Sequence, residues 1–285
     1  MRVLVIDIGG NNVKVAVPGR HDVVKVPSGP ALTARRMLST VRRATAGWDY
    51  DVVSVGYPGV VVNGVPAEEP VNLGRGWVGF DFEGAFGRPV RFINDAAMQA
   101  LGSYEGGRML FLGLGTGLGT ALVVDGMVLP LEVAHLPYRK GHSYEDHVGR
   151  AGFERFGRKR WREFVAEVTG LLKHALQADY VVLGGGNVKE LREIPAGARA
   201  GANANAFLGG VRLWEAPAWA EAAVHPVKTA TPRKRTRERV GRAGRGPVTK
   251  TRGTRGTGRA AAPAERGTAA TLTPRRPAPR RRARG

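Results

Sequence analysis

The residues able to do chemistry in this 285-residue chain gather around glycine. Asp7-Ile8-Gly9-Gly10-Asn11-Asn12-Val13-Lys14 links one apolar run to the next. Glycines there let backbone N–H groups approach phosphate oxygens with no side chain in the way. An Asp at a strand end can hold Mg2+ beside those phosphates, directly or through water, and Lys14 can meet their charge. The same stretch also reads as a tight hairpin with an exposed Asp. A second stretch, Gly113-Leu114-Gly115-Thr116-Gly117-Leu118-Gly119-Thr120, carries four glycines and two threonines in eight residues. Each Gly costs about 0.5–1 kcal/mol relative to Ala in a regular element, so phosphate binding accounts for that density better than a plain turn. A strand rather than a helix follows it, unlike a dinucleotide fingerprint, and no Gly-Lys-Ser/Thr makes it a P-loop. Gly184-Gly185-Gly186-Asn187, between an apolar strand and an expected helix, suits a ribose or adenine lying against backbone. It suits a tight strand-to-helix turn equally well.

Polar residues accompany these turns. Asn94-Asp95 stands at a strand end and opens a helix, where Asp95 also reads as an N-cap. Glu132-Val133-Ala134-His135 follows the second glycine stretch, and a Glu and a His three apart can share one face. His135, His142 and His147 have no spacing typical of a zinc site.

The elements that must position these residues alternate. Strands are expected over 2–8, 13–17, 23–26, 51–56, 90–93, 108–114, 119–124 and 180–183. Helices are expected over 31–46, 95–104 and 160–177, the first on the spacing of Leu32, Met37, Leu38 and Val41. Asp125-Gly126 is a hairpin turn signal. Each half opens with strand, glycine-rich turn and strand, which predicts an α/β chain of two similar lobes facing each other across a cleft. The expected division is 1–106 for the first lobe, 107–226 for the second, whose last helix packs back on the first, and 227–285 for a tail.

Composition narrows the function classes. Without cysteine there is no disulfide, thiolate metal site or cysteine nucleophile. No apolar run is long enough to span a bilayer, and the N-terminus is charged too early for a signal peptide, so a cytoplasmic protein is expected. The formal charge of +20 is uneven: residues 227–285 hold 19 of the 44 Lys and Arg but two of the 24 Asp and Glu. The body is therefore near +3 and the tail +17. That tail, rich in Arg, Gly, Ala, Thr and Pro, has too little apolar surface to offset its ordering entropy and is expected to be disordered. Its charge allows nonspecific binding of polyanions.

Taken together, the motifs resemble the ROK family of sugar kinases, and within it the glucokinase and polyphosphate-glucokinase branch. Asp7–Asn11 resembles the family's opening phosphate motif. Pro58-Gly59-Val60-Val61 resembles its sugar loop, and Asn72-Leu73…Trp77 its Asn-Leu…Trp element. Asn94-Asp95-Ala96, Gly113–Gly119 and Glu132-Val133-Ala134-His135 resemble three further motifs, all in family order. Three departures stand out: Asn11 replaces a Thr or Ser, Ala134 replaces a Gly, and the cysteine-rich zinc motif is absent.

The resemblance implies an actin-like ATPase fold, a duplicated ribonuclease H-like design. It implies transfer of a phosphoryl group from ATP or polyphosphate to the 6-hydroxyl of glucose or a related hexose, with Asp95 as catalytic base. Gly59, Val60, Asn72, Asn94, Asp95, Glu132, His135 and Glu145 would contact the sugar. Asp7, Gly9, Gly10, Asn11, Asn12, Lys14, Gly115, Thr116, Gly117, Gly184, Gly185 and Gly186 would serve the donor, with Mg2+ at Asp7 and no zinc. A homodimer is expected, with no membrane partner. Part of the family are sugar-responsive regulators with a winged-helix segment ahead of the body; here the body is expected to begin at residue 2. A catalytically inactive sugar binder is the alternative, on the strength of Asn11.

Overall fold

Val3–Ile8 is apolar except at Asp7, and such a run belongs at the centre of a sheet covered on both faces. In the computed structural model, which describes residues 1–20, 22–202 and 204–215, it forms β1. The expected tail lies outside the described residues. β1 pairs antiparallel with β2 (Asn12–Ala16), and β2 with β3 (Val24–Pro27). Helix α1 (Ala34–Ala44) leads to β4 (Val52–Tyr57), parallel to β1. The hairpin β5 (Val61–Val62) and β6 (Val65–Pro66), then α2 (Phe82–Phe86), lead to β7 (Val90–Asn94), parallel to β4. Helix α3 (Asp95–Ser103) ends this half.

The second half repeats the plan. β8 (Arg108–Leu114), β9 (Leu118–Val124) and β10 (Met127–Leu131) form an antiparallel meander. A 3-10 turn (Val133–His135), the small hairpin β11 (Pro137–Arg139) and β12 (His142–Ser143), and helix α4 (Tyr144–Val148) lead into α5 (Arg150–Ala175). Then β13 (Tyr180–Gly184) and β14 (Ala198–Ala200) add in parallel, and α6 (Asn205–Glu215) follows. The sheet orders are β3-β2-β1-β4-β7 and β10-β9-β8-β13-β14, the same connectivity twice. The duplicated, two-lobed α/β plan is that of the actin-like ATPases.

Period-two alternation assigns each strand's side chains. On β1, Leu4, Ile6 and Ile8 join an outer core with α1 and Trp77, while Val3 and Val5 join a core shared with β8. On β8, Met109 and Phe111 enter that shared core, and Leu110, Leu112 and Leu114 pack outward against Trp161 and Val168 of α5. Helices α3 and α6 fill the space between the sheets. Their backbones nearly touch: a Cβ at Gly102 would strike the Asn205 carbonyl oxygen, and one at Gly209 the Met98 carbonyl oxygen. Ser54 and Trp214 pin the end of α6 to β4, with Ser54 Oγ donating to the Gly210 carbonyl at 2.6 Å and Trp214 Nε1 donating to Ser54 Oγ at 2.8 Å.

Three expected boundaries shift. Helix α1 begins at Ala34 rather than 31, because the Thr33 side chain accepts from the Arg36 N–H and caps it. The long helix begins at Arg150 rather than 160, bridging a break at Gly157 (φ 72°, ψ 164°), a conformation favoured by glycine. After β13 the expected helix is one 3-10 turn, Gly186–Glu190.

Candidate active site

Asp7 lies on the face of β1 that carries Val3 and Val5, so its carboxyl points between the sheets toward α3. It is buried rather than exposed, which removes the plain-hairpin reading of an exposed Asp. Lys14, directly across the β1–β2 ladder, places Nζ 3.3 Å from Asp7 Oδ2. Burial raises the Asp7 pKa, and Lys14 opposes that rise.

Asp95 opens α3 on the same side. The cap at this end is Asn94, not Asp95: Asn94 Oδ1 accepts from the N–H groups of Ala96 and Ala97 at 3.0 and 3.1 Å. Asp95 Oδ1 accepts from the Ala96 N–H at 2.8 Å. Desolvation, then the nearby charges of Asp7 and Glu132, push the Asp95 pKa up to about 7, against the pull of local N–H groups. Glycines let α3 sit this close. Gly56, the parallel neighbour of Asp7, has no side chain, and a Cβ there would strike Met98 and come within 3.6 Å of Asp95 Cα. A Cβ at Gly119 would lie 2.7 Å from Ala96 Cβ.

The two glycine turns meet here. A Cβ on Gly10 would point to Thr116 Oγ1 at 3.8 Å. The first turn closes through Gly9 N–H donating to the Asn12 carbonyl at 3.0 Å, and Asn11 and Asn12 are exposed. The second is held from outside: Asn187 Nδ2 donates to the Gly115 carbonyl at 2.9 Å, and Arg150 N–H to the Thr116 carbonyl at 3.1 Å. Not every glycine is open to a ligand. Gly117 faces the Glu145 carboxylate and Gly119 faces Ala96, whereas a Cβ on Gly115 would meet nothing within 4 Å. Gly184 and Gly185 serve close packing, against the Phe111 ring and the Leu114 backbone, while Gly186 is exposed.

The expected sugar-side residues divide. Asn94 Nδ2 donates to the Gly59 carbonyl at 3.3 Å, tying the Pro58-Gly59 turn to α3. Gly59 itself leaves room for the Tyr57 ring, while Val60 and Asn72 are exposed on the loops beyond. Glu132 and His135 share one face, with His135 Nε2 3.4 Å from Glu132 Oε2 and both side chains exposed. Between them Ala134 turns its methyl into the outer core of the second lobe, so the extra carbon is accommodated away from the site. Glu145 Oε2 accepts from the Leu118 N–H at 2.9 Å, placing this carboxylate against the second glycine turn.

Sequence reasoning missed Glu69. Its carboxylate accepts from the N–H groups of Gly76, Trp77 and Val78 at 3.1–3.3 Å and folds the loop that carries Asn72 and Trp77. The available signal was a carboxylate a few residues before a Gly-containing loop, which many surface acids share.

No protein-family model matches the chain. Among curated proteins, the polyphosphate glucokinase of Mycobacterium tuberculosis is 25% identical over 203 residues, covering 64% of this chain and 76% of that protein. Among solved structures, the inorganic polyphosphate/ATP-glucomannokinase from Arthrobacter sp. strain KM matches with a TM-score of 0.62 at 24% identity, over 78% of this chain and 98% of that one. A ROK family glucokinase from Streptomyces griseus, solved in complex with glucose and AMPPNP, matches with a TM-score of 0.60 at 17% identity, over 75% and 99%. The chain is thus similar in sequence to polyphosphate glucokinases and shares the fold of ROK kinases.

Proposed function

We propose that the protein transfers a phosphoryl group from ATP or polyphosphate to the 6-hydroxyl of glucose or a closely related hexose. The observation that carries this reading is that the two glycine turns approach each other at Gly10 and Thr116 while α3, resting on Gly119, carries Asp95 near Asp7 and its partly buried pair with Lys14. Phosphoryl transfer needs positioning and charge neutralisation more than covalent chemistry. The open backbone at Gly10 and Gly115 and the Thr116 hydroxyl face the donor phosphates, and Lys14 meets their charge. Asp95 accepts the proton of the attacking hydroxyl; a base with a pKa near 7 is ionised often enough to act and basic enough to take a proton. Glu132, His135, Asn72 and Glu145 hydrogen-bond the remaining hydroxyls, and a site built of such groups rejects analogues lacking one.

Among the described residues no three metal-ligating side chains come together. Asp7 suits Mg2+ that takes most of its ligands from phosphate and water, as magnesium at phosphate sites does, and there the ion would neutralise charge on the donor. The two halves, residues 1–106 and 107–226, would act as the lobes that close on the substrates and exclude water.

The test is glucose 6-phosphate formation by the purified chain with Mg2+, offering ATP and polyphosphate separately. Product with either donor supports the reading, and the ratio assigns the donor. Absence of product across a panel of hexoses, with glucose still bound, would favour an inactive sugar binder, with Asn11 in the first turn as the suspected cause.

A further inference from the structure

Glu145 Oε2 accepts from the Leu118 N–H at 2.9 Å. Glu145 is fixed from behind. Its helix α4 starts with a reciprocal cap, in which Ser143 Oγ accepts from the Asp146 N–H at 3.2 Å and Asp146 Oδ2 accepts from the Ser143 N–H at 2.7 Å. His147 on the same helix is buried, its Nδ1 3.0 Å from the Ser143 carbonyl and its ring stacked on Phe156 with centroids 5.3 Å apart. The α4–α5 junction then grips the second glycine turn twice. The Arg150 N–H donates to the Thr116 carbonyl, and the Glu145 carboxylate receives the Leu118 N–H. Gly117 leaves the space that carboxylate occupies, since a Cβ there would collide with Glu145 Oε2. Oε1 accepts no hydrogen bond among the described residues.

We propose that Glu145 is a positioning residue that couples the two substrates: Oε2 holds the glycine turn in its phosphate-binding shape while Oε1 takes a hydroxyl of the acceptor. The inference rests on the proposed reading that this turn serves the donor and Glu145 the sugar. Hydrogen bonds to a carboxylate are the stronger kind, and a fixed carboxylate transmits order in both directions. A sugar that immobilises Glu145 therefore favours the turn that receives phosphate, and a bound donor favours the sugar by the same factor.

The experiment compares wild type with Glu145→Ala and Glu145→Gln. Amide exchange at Leu118 is read without ligand, and donor and acceptor KM are read separately. Glu145→Ala is expected to speed exchange at Leu118 about tenfold, as loss of one partly buried hydrogen bond allows, and to raise the KM of donor and acceptor alike. Glu145→Gln keeps a carbonyl oxygen for the Leu118 N–H. It is expected to restore slow exchange and the donor KM while the acceptor KM stays raised. Unchanged exchange in Glu145→Ala, or a rise in acceptor KM alone, would overturn the coupling and leave a simple sugar ligand. So would a Gln variant whose Leu118 exchanges as fast as in the Ala variant. The exchange measurement needs no turnover, so failure of the kinase reading is recognised separately, by wild type that forms no product.

Discussion

The two halves share a strand order, yet their matching positions carry opposite chemistry. One step before the turn on β1 and β2 stand Asp7 and Lys14; one step before the turn on β8 and β9 stand Gly113 and Gly119. The first half places a partly buried ion pair where the second places two glycines. The glycines leave room for α3, whose Ala96 rests on Gly119 and whose Asp95 lies near Asp7 of the first lobe. On the proposed reading, duplication supplies two backbone cradles, and the difference between them leaves room for Asp95 to act.

Replacing the acting side chain should break the comparison most severely. Asp95→Asn keeps shape and helix start, because Asn94 supplies the cap, and is expected to lower kcat by about 10²–10⁴, the usual worth of a general base. Filling the glycine space comes next. Gly119→Val drives a side chain into Ala96, at a cost of about 1–3 kcal/mol in a urea titration, and should lower turnover by displacing Asp95. Gly115→Ala is the control. Its Cβ meets open space, so stability should stay within about 0.5 kcal/mol while donor KM rises. Equal destabilisation by the two would mean that the second turn's glycines serve folding alone.

The ion pair of the first half gives a smaller effect. Lys14→Met strands the buried Asp7 without its partner and should destabilise by about 1–3 kcal/mol, less than a fully buried pair because Lys14 is partly exposed. Adding Asp7→Asn should recover much of that loss in the same titration. Non-recovery would mean that Lys14 contributes packing rather than charge.

The smallest effect is in pH dependence. The Asp95 pKa is raised on folding, from an ordinary carboxylate value to about 7, so the folded state binds more protons than the unfolded chain across that interval. Its contribution to stability therefore declines as pH rises from about 4 to 7 and is level above. If Asp95 is the base as proposed, activity runs the opposite way, because the base must be ionised: kcat/KM should rise through pH 7 to a plateau. Asp95→Asn should remove this contribution to the stability profile, as thermal unfolding at several pH values would reveal.

Much of this was legible in the sequence for definite reasons. β1 and β8 are apolar runs ending at glycine, and the matching turns revealed the duplication. Asp125-Gly126 marked a hairpin, and both residues have positive φ. What escaped depends on distant contacts. The early turns of α5 contain Gly152 and Gly157 and are held by Trp161, whose Nε1 donates to the Val148 carbonyl at 2.8 Å. The glycines at 119, 184 and 185 read as turn or ligand-binding residues until their neighbours across the sheets are known. Taken alone, Asp95 read first as a cap, and only the two bonds to the Asn94 side chain separate the roles.

The central claim is tested most directly by measuring glucose binding and phosphoryl transfer side by side in Asp95→Asn. The account predicts a glucose Kd within a few-fold of wild type, with transfer from the preferred donor reduced about 100-fold or more. Wild-type transfer in that variant would contradict the assignment of Asp95 as the base.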